Sequence, residues 1–380
     1  MITGGAGFIG SHTADALIAR GHDVRLLDCL DPQIHANQCE FPRYLDDNAE
    51  VIKGDVRDLQ VVKDALDGID VIYHFAAHTG VGQSMYAIRA YVDTNCTGTA
   101  TLLEAILKSG KRPARLILAS SRAVYGEGAY SCLAHGNVVP APRSRERLDA
   151  GRFVPVCPVC DGALQTRATD ENHLLRPVSV YGWTKLQQEQ LMSHASDALG
   201  LETVVLRYFN VIGSRQSLSN PYTGIATAFY GNAMNGQPLP LYERGFPVRD
   251  FVHIRDVVAA NVLALNAPAL PARYVTLNIG TGRPTTIREF AAAVASACGR
   301  EAVLDETILY RQGDIFACVA DRNRAASTLG YAPIVSLEDA ILEFVQWAHS
   351  QPADRSHEDK AATELERYGM LGTGRGPALS

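Results

Sequence analysis

Met1-Ile2-Thr3-Gly4-Gly5-Ala6-Gly7-Phe8-Ile9-Gly10 opens the chain, and a helical stretch follows directly. Gly4, Gly7 and Gly10 are spaced G-x-x-G-x-x-G, with Phe8 and Ile9 starting the helix between the last two. A pyrophosphate needs backbone N–H groups close by, and a Cβ would block that approach. The helix N-terminus adds partial positive charge. Glycines alone also describe an ordinary tight turn. Downstream, however, Asp28 ends the next apolar run, where a carboxylate can accept hydrogen bonds from adenosine ribose hydroxyls. It would repel a 2′-phosphate, so the pattern favours NAD over NADP. Only Met1 and Ile2 precede Thr3, so the first strand is either very short or lacks its beginning.

Outward from this loop the chain alternates. Val24–Leu27, Val71–Phe75 and Leu116–Ala119 read as buried parallel strands, and Ser11–Arg20 and Thr97–Leu107 as helices. Such alternation predicts an α/β fold, a Rossmann-type doubly wound parallel sheet. The expected division is a dinucleotide domain over 1–126 and 169–213, an inserted segment over 127–168, a smaller α/β substrate domain mainly over 214–350, and a flexible tail over 351–380. The length, 380 residues at 47% hydrophobic, supports a core of that size. A net charge of −6 gives no general attraction to nucleic acid or to an anionic membrane. No apolar run approaches the roughly 20 residues of a spanning helix. The expectation is a soluble cytoplasmic protein. Five of its eight cysteines are scattered singly, as reduced thiols would be.

Two further segments carry chemistry. Tyr181 and Lys185, in Tyr-Gly-Trp-Thr-Lys, share one face of a helix. The ammonium would stabilise a phenolate and make the tyrosine a usable base. Upstream, Ala119-Ser120-Ser121-Arg122-Ala123-Val124-Tyr125-Gly126 closes an apolar strand and offers a serine to a reacting sugar oxygen. An isolated Tyr-x-x-x-Lys is an ordinary exposed helix face. Together with the glycine loop, in this order, it is a constellation.

At these residues the chain resembles the extended short-chain dehydrogenase/reductases, the NAD-dependent epimerase/dehydratase family, over roughly residues 1–345. The resemblance implies Ser121, Tyr181 and Lys185 as the catalytic set. It implies Asp55 and Val56 against the adenine, Ala76 and Ala77 lining the cofactor, and Asn95 as a structural asparagine on the cofactor side. It implies Asn210 holding the sugar nucleotide, and Arg249 and Arg311, with Asp314 beside them, gripping diphosphate and ribose. A planar guanidinium fork suits phosphate oxygens. The family's dehydratases carry Asp and Glu where this chain has Arg122 and Ala123, and its decarboxylases usually keep a Glu at the second position. Elimination chemistry therefore lacks its acid and base here. What remains is 4-epimerisation of a nucleotide-activated sugar through a transient 4-keto intermediate, with NAD tightly retained. The chain is most similar to the dTDP-L-rhamnose 4-epimerase group, and that resemblance implies a 6-deoxyhexose carried on dTDP. The resemblance also implies a homodimer formed through the helices after Asn95 and after Tyr181. A net 4-ketoreductase or dehydrogenase, another nucleotide-sugar enzyme of the family, and a dinucleotide sensor on the same fold stay open as alternatives.

The inserted segment has its own signature. Cys132-Leu133-Ala134-His135 and Cys157-Pro158-Val159-Cys160 form two facing x2 knuckles. Cys132, His135, Cys157 and Cys160 would make a closed Cys3His site for structural zinc, a zinc-ribbon-like unit. The alternative is free thiols beside a surface histidine.

Overall fold

The computed structural model describes residues 1–35, 40–218, 220, 222, 224–267, 270–351 and 360–374. Cys39 lies outside them. Seven strands form the central sheet: β1 (Ile2–Thr3), β2 (Arg25–Asp28), β3 (Glu50–Lys53), β4 (Val71–His74), β5 (Arg115–Ser121), β6 (Glu202–Tyr208) and β7 (Tyr274–Ile279). Their order is β7-β6-β5-β4-β1-β2-β3, and every pairing is parallel. This is the doubly wound Rossmann-like arrangement.

Alternation along the strands explains the two-sided burial. Leu26, Ile117, Val204 and Leu206 enter one apolar cluster, with α1 (Phe8–Ile18) and its Ala14 and Leu17. Leu27, Leu116, Leu118 and Val205 enter a second cluster on the opposite face, with Leu102, Ala105 and Ile106 of α2 (Gly98–Ser109) and Met192 of α3 (Val180–Leu199). Neither face is wet, so the strands read as continuous apolar runs. On the first face α1 packs beside α4 (Ile254–Asn266). A third cluster, around Phe229, Phe251, Phe290 and Phe344, holds the smaller unit together. Its Phe251 and Phe290 rings stack at 3.9 Å.

The structure departs from the expected division in two places. Residues 254–279 leave the smaller unit, returning α4 and β7 to the main sheet. The tail is not loose where it is described. α5 (Lys360–Arg367) buries Leu365 at 4% exposure, and the strand Leu371–Thr373 pairs antiparallel with Leu309–Arg311. One apolar side chain and a strand ladder suffice to dock it, a signal too sparse to see in a polar sequence. Residues 352–359 and 375–380 lie outside the described residues.

The inserted segment forms a three-stranded antiparallel sheet, Gly136–Val138, Tyr130–Cys132 and Leu164–Thr166 in spatial order, plus a short helix, Arg145–Asp149. Leu148 and Phe153 anchor it on Tyr310 in a small cluster of their own. Among the described residues no helix is long and apolar enough to cross a membrane.

Candidate active site

In a parallel sheet all strands deliver their C-terminal ends to one edge, and ligands bind there at the point where strand order reverses, here between β1 and β4. A cavity of about 990 Å³ lies along that edge. Gly4, Gly7, Phe8, Ile9 and Gly10 line it after β1, Asp28 at the end of β2, and Asp55 and Val56 after β3. Ala76 and Ala77 line it after β4, Ser121 at the end of β5, and Asn210 just past β6. Tyr181 and Lys185 enter from α3, and Arg249, Arg311 and Asp314 from the smaller unit.

The glycine loop is tight. Gly4 has φ +68°, and a Cβ there would meet the Ala76 nitrogen at 2.8 Å. A Cβ on Gly10 would meet the Gly4 carbonyl at 2.3 Å. Gly7 caps α1 with no side chain on the helix's first N–H groups, so they stay available to an anion in the cavity. Asp28 is 8% exposed and accepts from the backbone N–H groups of Ala6 and Leu30, at 3.0 and 2.9 Å. It thereby ties the end of β2 to the loop. Asp55 is clasped by Arg57, which holds its carboxyl below the usual range.

Asn95 is fully buried and does not line the cavity itself. Its amide accepts from His78 N at 2.7 Å and donates to Thr184 Oγ1 at 2.9 Å. It therefore fixes the loop after β4 against α3. The residue that reaches the cavity from this pair is His78.

The catalytic candidates converge. Ser179 caps α3 by accepting from Gly182 N at 3.1 Å, which sets the start of the helix carrying Tyr181. Tyr181 and Ser121 face the same cavity. Burial pushes the phenol up, while the neighbouring Ser121 hydroxyl and the Arg122 charge pull it down. Lys185 donates to the Ala119 carbonyl at 2.8 Å. Burial drops its pKa to about 7, against the pull of Glu189. Lys185 also lines the cavity one helical turn from Tyr181, and the Arg122 charge acts on the same phenol. Glu189 also pairs with buried Arg207 at 2.7 Å and accepts from Ser120, bracing β5 and β6 behind the site.

At the far end of the cavity Arg249 pairs with Asp314 at 2.7 Å, and Arg311 lies over the Tyr242 ring at 4.8 Å. Arg249, followed by Arg311, Arg122 and Arg143, holds the Asp314 carboxyl down at about 2 despite burial. Sequence reasoning missed three contributors. Arg122 was read only as a missing acid. Arg143 of the inserted segment reaches the Asp314 carbonyl at 2.9 Å. Ala361 and Leu365 of α5 complete the rim, where Glu364 accepts from Tyr86 at 2.7 Å and also from Tyr222.

In the inserted segment the four ligand atoms of Cys132, His135, Cys157 and Cys160 all lie within 4.8 Å of one another. Cys132 Sγ and Cys157 Sγ are each 3.6 Å from His135 Nδ1, and Cys132 Sγ is 3.8 Å from Cys160 Sγ. A tetrahedral ion with Zn–S near 2.3 Å and Zn–N near 2.0–2.1 Å needs S···N and S···S edges of about 3.6 and about 3.8 Å. No disulfide forms among the described cysteines.

Known proteins bear on this geometry. A family model described as GDP-mannose 4,6 dehydratase matches residues 1–144, and one described as the NAD dependent epimerase/dehydratase family matches 155–280. A dTDP-L-rhamnose 4-epimerase of Burkholderia thailandensis is 37% identical over 361 residues, covering 94% of this chain and 96% of its own. A putative UDP-glucose 4-epimerase of Methanocaldococcus jannaschii is 30% identical, covering 91% and 97%. Among solved structures, the UDP-glucuronic acid 4-epimerase of Bacillus cereus, in complex with UDP-glucuronic acid and NAD, superposes with TM-score 0.74 at 25% identity, covering 92% and 98%. The UDP-glucose 4-epimerase of Thermotoga maritima, with UDP-glucose, gives 0.73 at 28%, covering 92% and 97%. Likeness that runs through both units and nearly the full length of each relative makes this chain a member of the NAD-dependent epimerase/dehydratase family.

Proposed function

We propose that the protein inverts C4 of a nucleotide-activated hexose, with NAD retained through the cycle. The observation that carries this reading is the Ser121–Tyr181 pair, set between the glycine loop and the Arg249–Arg311–Asp314 end of one cavity. One ligand end fits a dinucleotide and the other a sugar diphosphate, so the hexose falls beside the tyrosine. Gly4, Gly7, Phe8, Ile9, Gly10, Asp28, Asp55, Val56, Ala76 and Ala77 would hold the NAD, whose nicotinamide would store the C4 hydride and give it back to the opposite face of the sugar. Tyr181 takes the C4 hydroxyl proton while Ser121 orients the same oxygen. The cavity leaves the 4-keto sugar room to turn over, and Tyr181 then gives the proton back. Asn210, Arg249 and Arg311 hold the nucleotide diphosphate throughout, with Asp314 orienting the arginines. The positions after Ser121 carry no carboxylate, so nothing there eliminates water or carbon dioxide.

The finer reading is a dTDP-6-deoxyhexose, following the relative at 37% identity. Cys132, His135, Cys157 and Cys160 hold a structural zinc. Its four protein ligands leave no open position, so its part is to order the inserted segment. Two copies associate through α2 and α3, near which Trp183, Ile88 and Val92 stand 52%, 51% and 41% exposed. Incubation with dTDP-, UDP- and GDP-hexoses, without added cofactor, tests the reaction. C4 inversion seen by NMR supports it. Stoichiometric cofactor turnover would replace it with a net ketoreductase or dehydrogenase.

A further inference from the structure

Arg122 follows Ser121 directly and opens the short 3-10 turn Arg122–Val124, which holds it on the cavity wall. Its Nε donates to Asn210 Oδ1 at 3.2 Å. Among the described residues its terminal nitrogens have no hydrogen-bond partner, and it makes no ion pair. Neither nitrogen is among the sealed, unsatisfied polar atoms, so both reach the open cavity. The nearby carboxylate, Asp314, is already held by Arg249 at 2.7 Å and by the Ile315 N–H at 2.8 Å. Burial above all, and then repulsion from Arg249, disfavours the charge on Arg122. Desolvating a cation without a partner is costly. Here the protein supplies only the Asn210 bond at Nε, and the two terminal nitrogens are left to the ligand.

Position says which part of the ligand. Ser121 and Tyr181 mark where the C4 oxygen reacts, and Arg249 and Arg311 mark the diphosphate at C1. Arg122 adjoins Ser121, bonds Asn210 and is acted on by the charges of both Tyr181 and the Arg249–Asp314 pair, so it stands on the wall between the two ends, where the hexose of that reading would lie. Of the two edges joining C4 to C1, only the C2–C3 edge carries two adjacent hydroxyls, the spacing a guanidinium fork accepts. Resting on the nucleotide-hexose reading above, we infer that Arg122 is a sugar-specificity residue that donates from its two terminal nitrogens to the C2 and C3 hydroxyls. Asn210 anchors the fork at Nε.

The test compares binding of a bare nucleoside diphosphate with binding of the corresponding nucleotide hexose, by titration calorimetry. Wild-type protein binds both; binding of neither would overturn the nucleotide-sugar reading itself. Arg122→Met should leave the nucleoside diphosphate within about twofold while weakening the nucleotide hexose by about 10- to 100-fold, the worth of a charge-assisted hydrogen bond. Arg122→Lys keeps the charge without the fork and should fall between. Equal weakening of both ligands would make Arg122 a diphosphate residue, and no weakening of either would make it structural. Each outcome overturns the inference. The wild-type protein gives an arm independent of any variant. The 2-deoxy and 3-deoxy nucleotide hexoses should each bind at least about tenfold more weakly than the parent. Full affinity for both would also overturn it.

Discussion

Replacing Arg143 with Met tests whether the inserted segment is part of the substrate wall or an ornament beside it. Arg143 and Glu243 are each 3% exposed at the side chain and form a direct ion pair. Arg143 also donates to the Phe153 and Asp314 carbonyls and faces Glu127 at 3.4 Å. Glu127 keeps other donors, among them Phe316 N and Tyr130 Oη, both at 2.8 Å. Glu243 has no other donor among the described residues, and it sits at φ +52° beside Arg244 at +58°, a left-handed pair of non-glycine residues. Removing Arg143 thus orphans one buried carboxylate, which costs about 3–5 kcal/mol. Burial already raises the Glu243 pKa, and Arg143 is the main influence lowering it. In the variant Glu243 should therefore take up a proton, and the deficit should shrink as pH falls from 7 towards 5. Equilibrium urea unfolding at both pH values measures this. Adding Glu243→Gln should recover most of the loss, and KM should rise because the Asp314 backbone loses its donor. A loss below about 1 kcal/mol, with no coupling in the double mutant, would refute the reasoning.

Tyr181→Phe should lower turnover by about 10²–10⁴-fold with NAD content unchanged, read by steady-state kinetics and by absorbance of the released cofactor. Cys157→Ser should abolish zinc in elemental analysis and expose the inserted segment to protease while the Rossmann sheet stays folded; wild-type protein without zinc, its three knuckle cysteines freely reactive, would refute the site. His74 is buried between Thr3 and Thr99, and burial lowers its pKa to about 3. Below about pH 6.5 the unfolded chain takes a proton that the native chain refuses, so stability should fall with falling pH at up to about 1.4 kcal/mol per unit; His74→Gln should flatten that slope. Trp183→Glu should shift the mass by light scattering from dimer to monomer, and an unchanged dimer would move the interface elsewhere.

The glycine loop, the strand alternation and the two knuckles were legible because each requirement is local. A pyrophosphate cradle needs glycines at fixed spacing, and a tetrahedral site needs ligands in close pairs. The part Asn95 plays was not legible because its neighbours, His78 and Thr184, come from the loop after β4 and from α3, and only the packed sheet brings them together. The bond from Lys185 to the Ala119 carbonyl was hidden for a similar reason: helical spacing set its face but not its contact with the end of β5. Arg122 stood in plain view beside Ser121. Its weight comes from an absence of counter-charge, which only a three-dimensional inventory reveals. Leu365 looked like an isolated apolar residue in a polar tail until the cavity rim gave it somewhere to go.

The central claim is that hydride leaves C4 and returns to C4 within one bound complex. A nucleotide hexose deuterated at C4, turned over in ordinary water and followed by NMR, tests it most directly. The account predicts an epimer that keeps its deuterium at C4, with no solvent hydrogen at any ring carbon. Deuterium lost to solvent would mean that a proton rather than a hydride is removed, and would contradict the account.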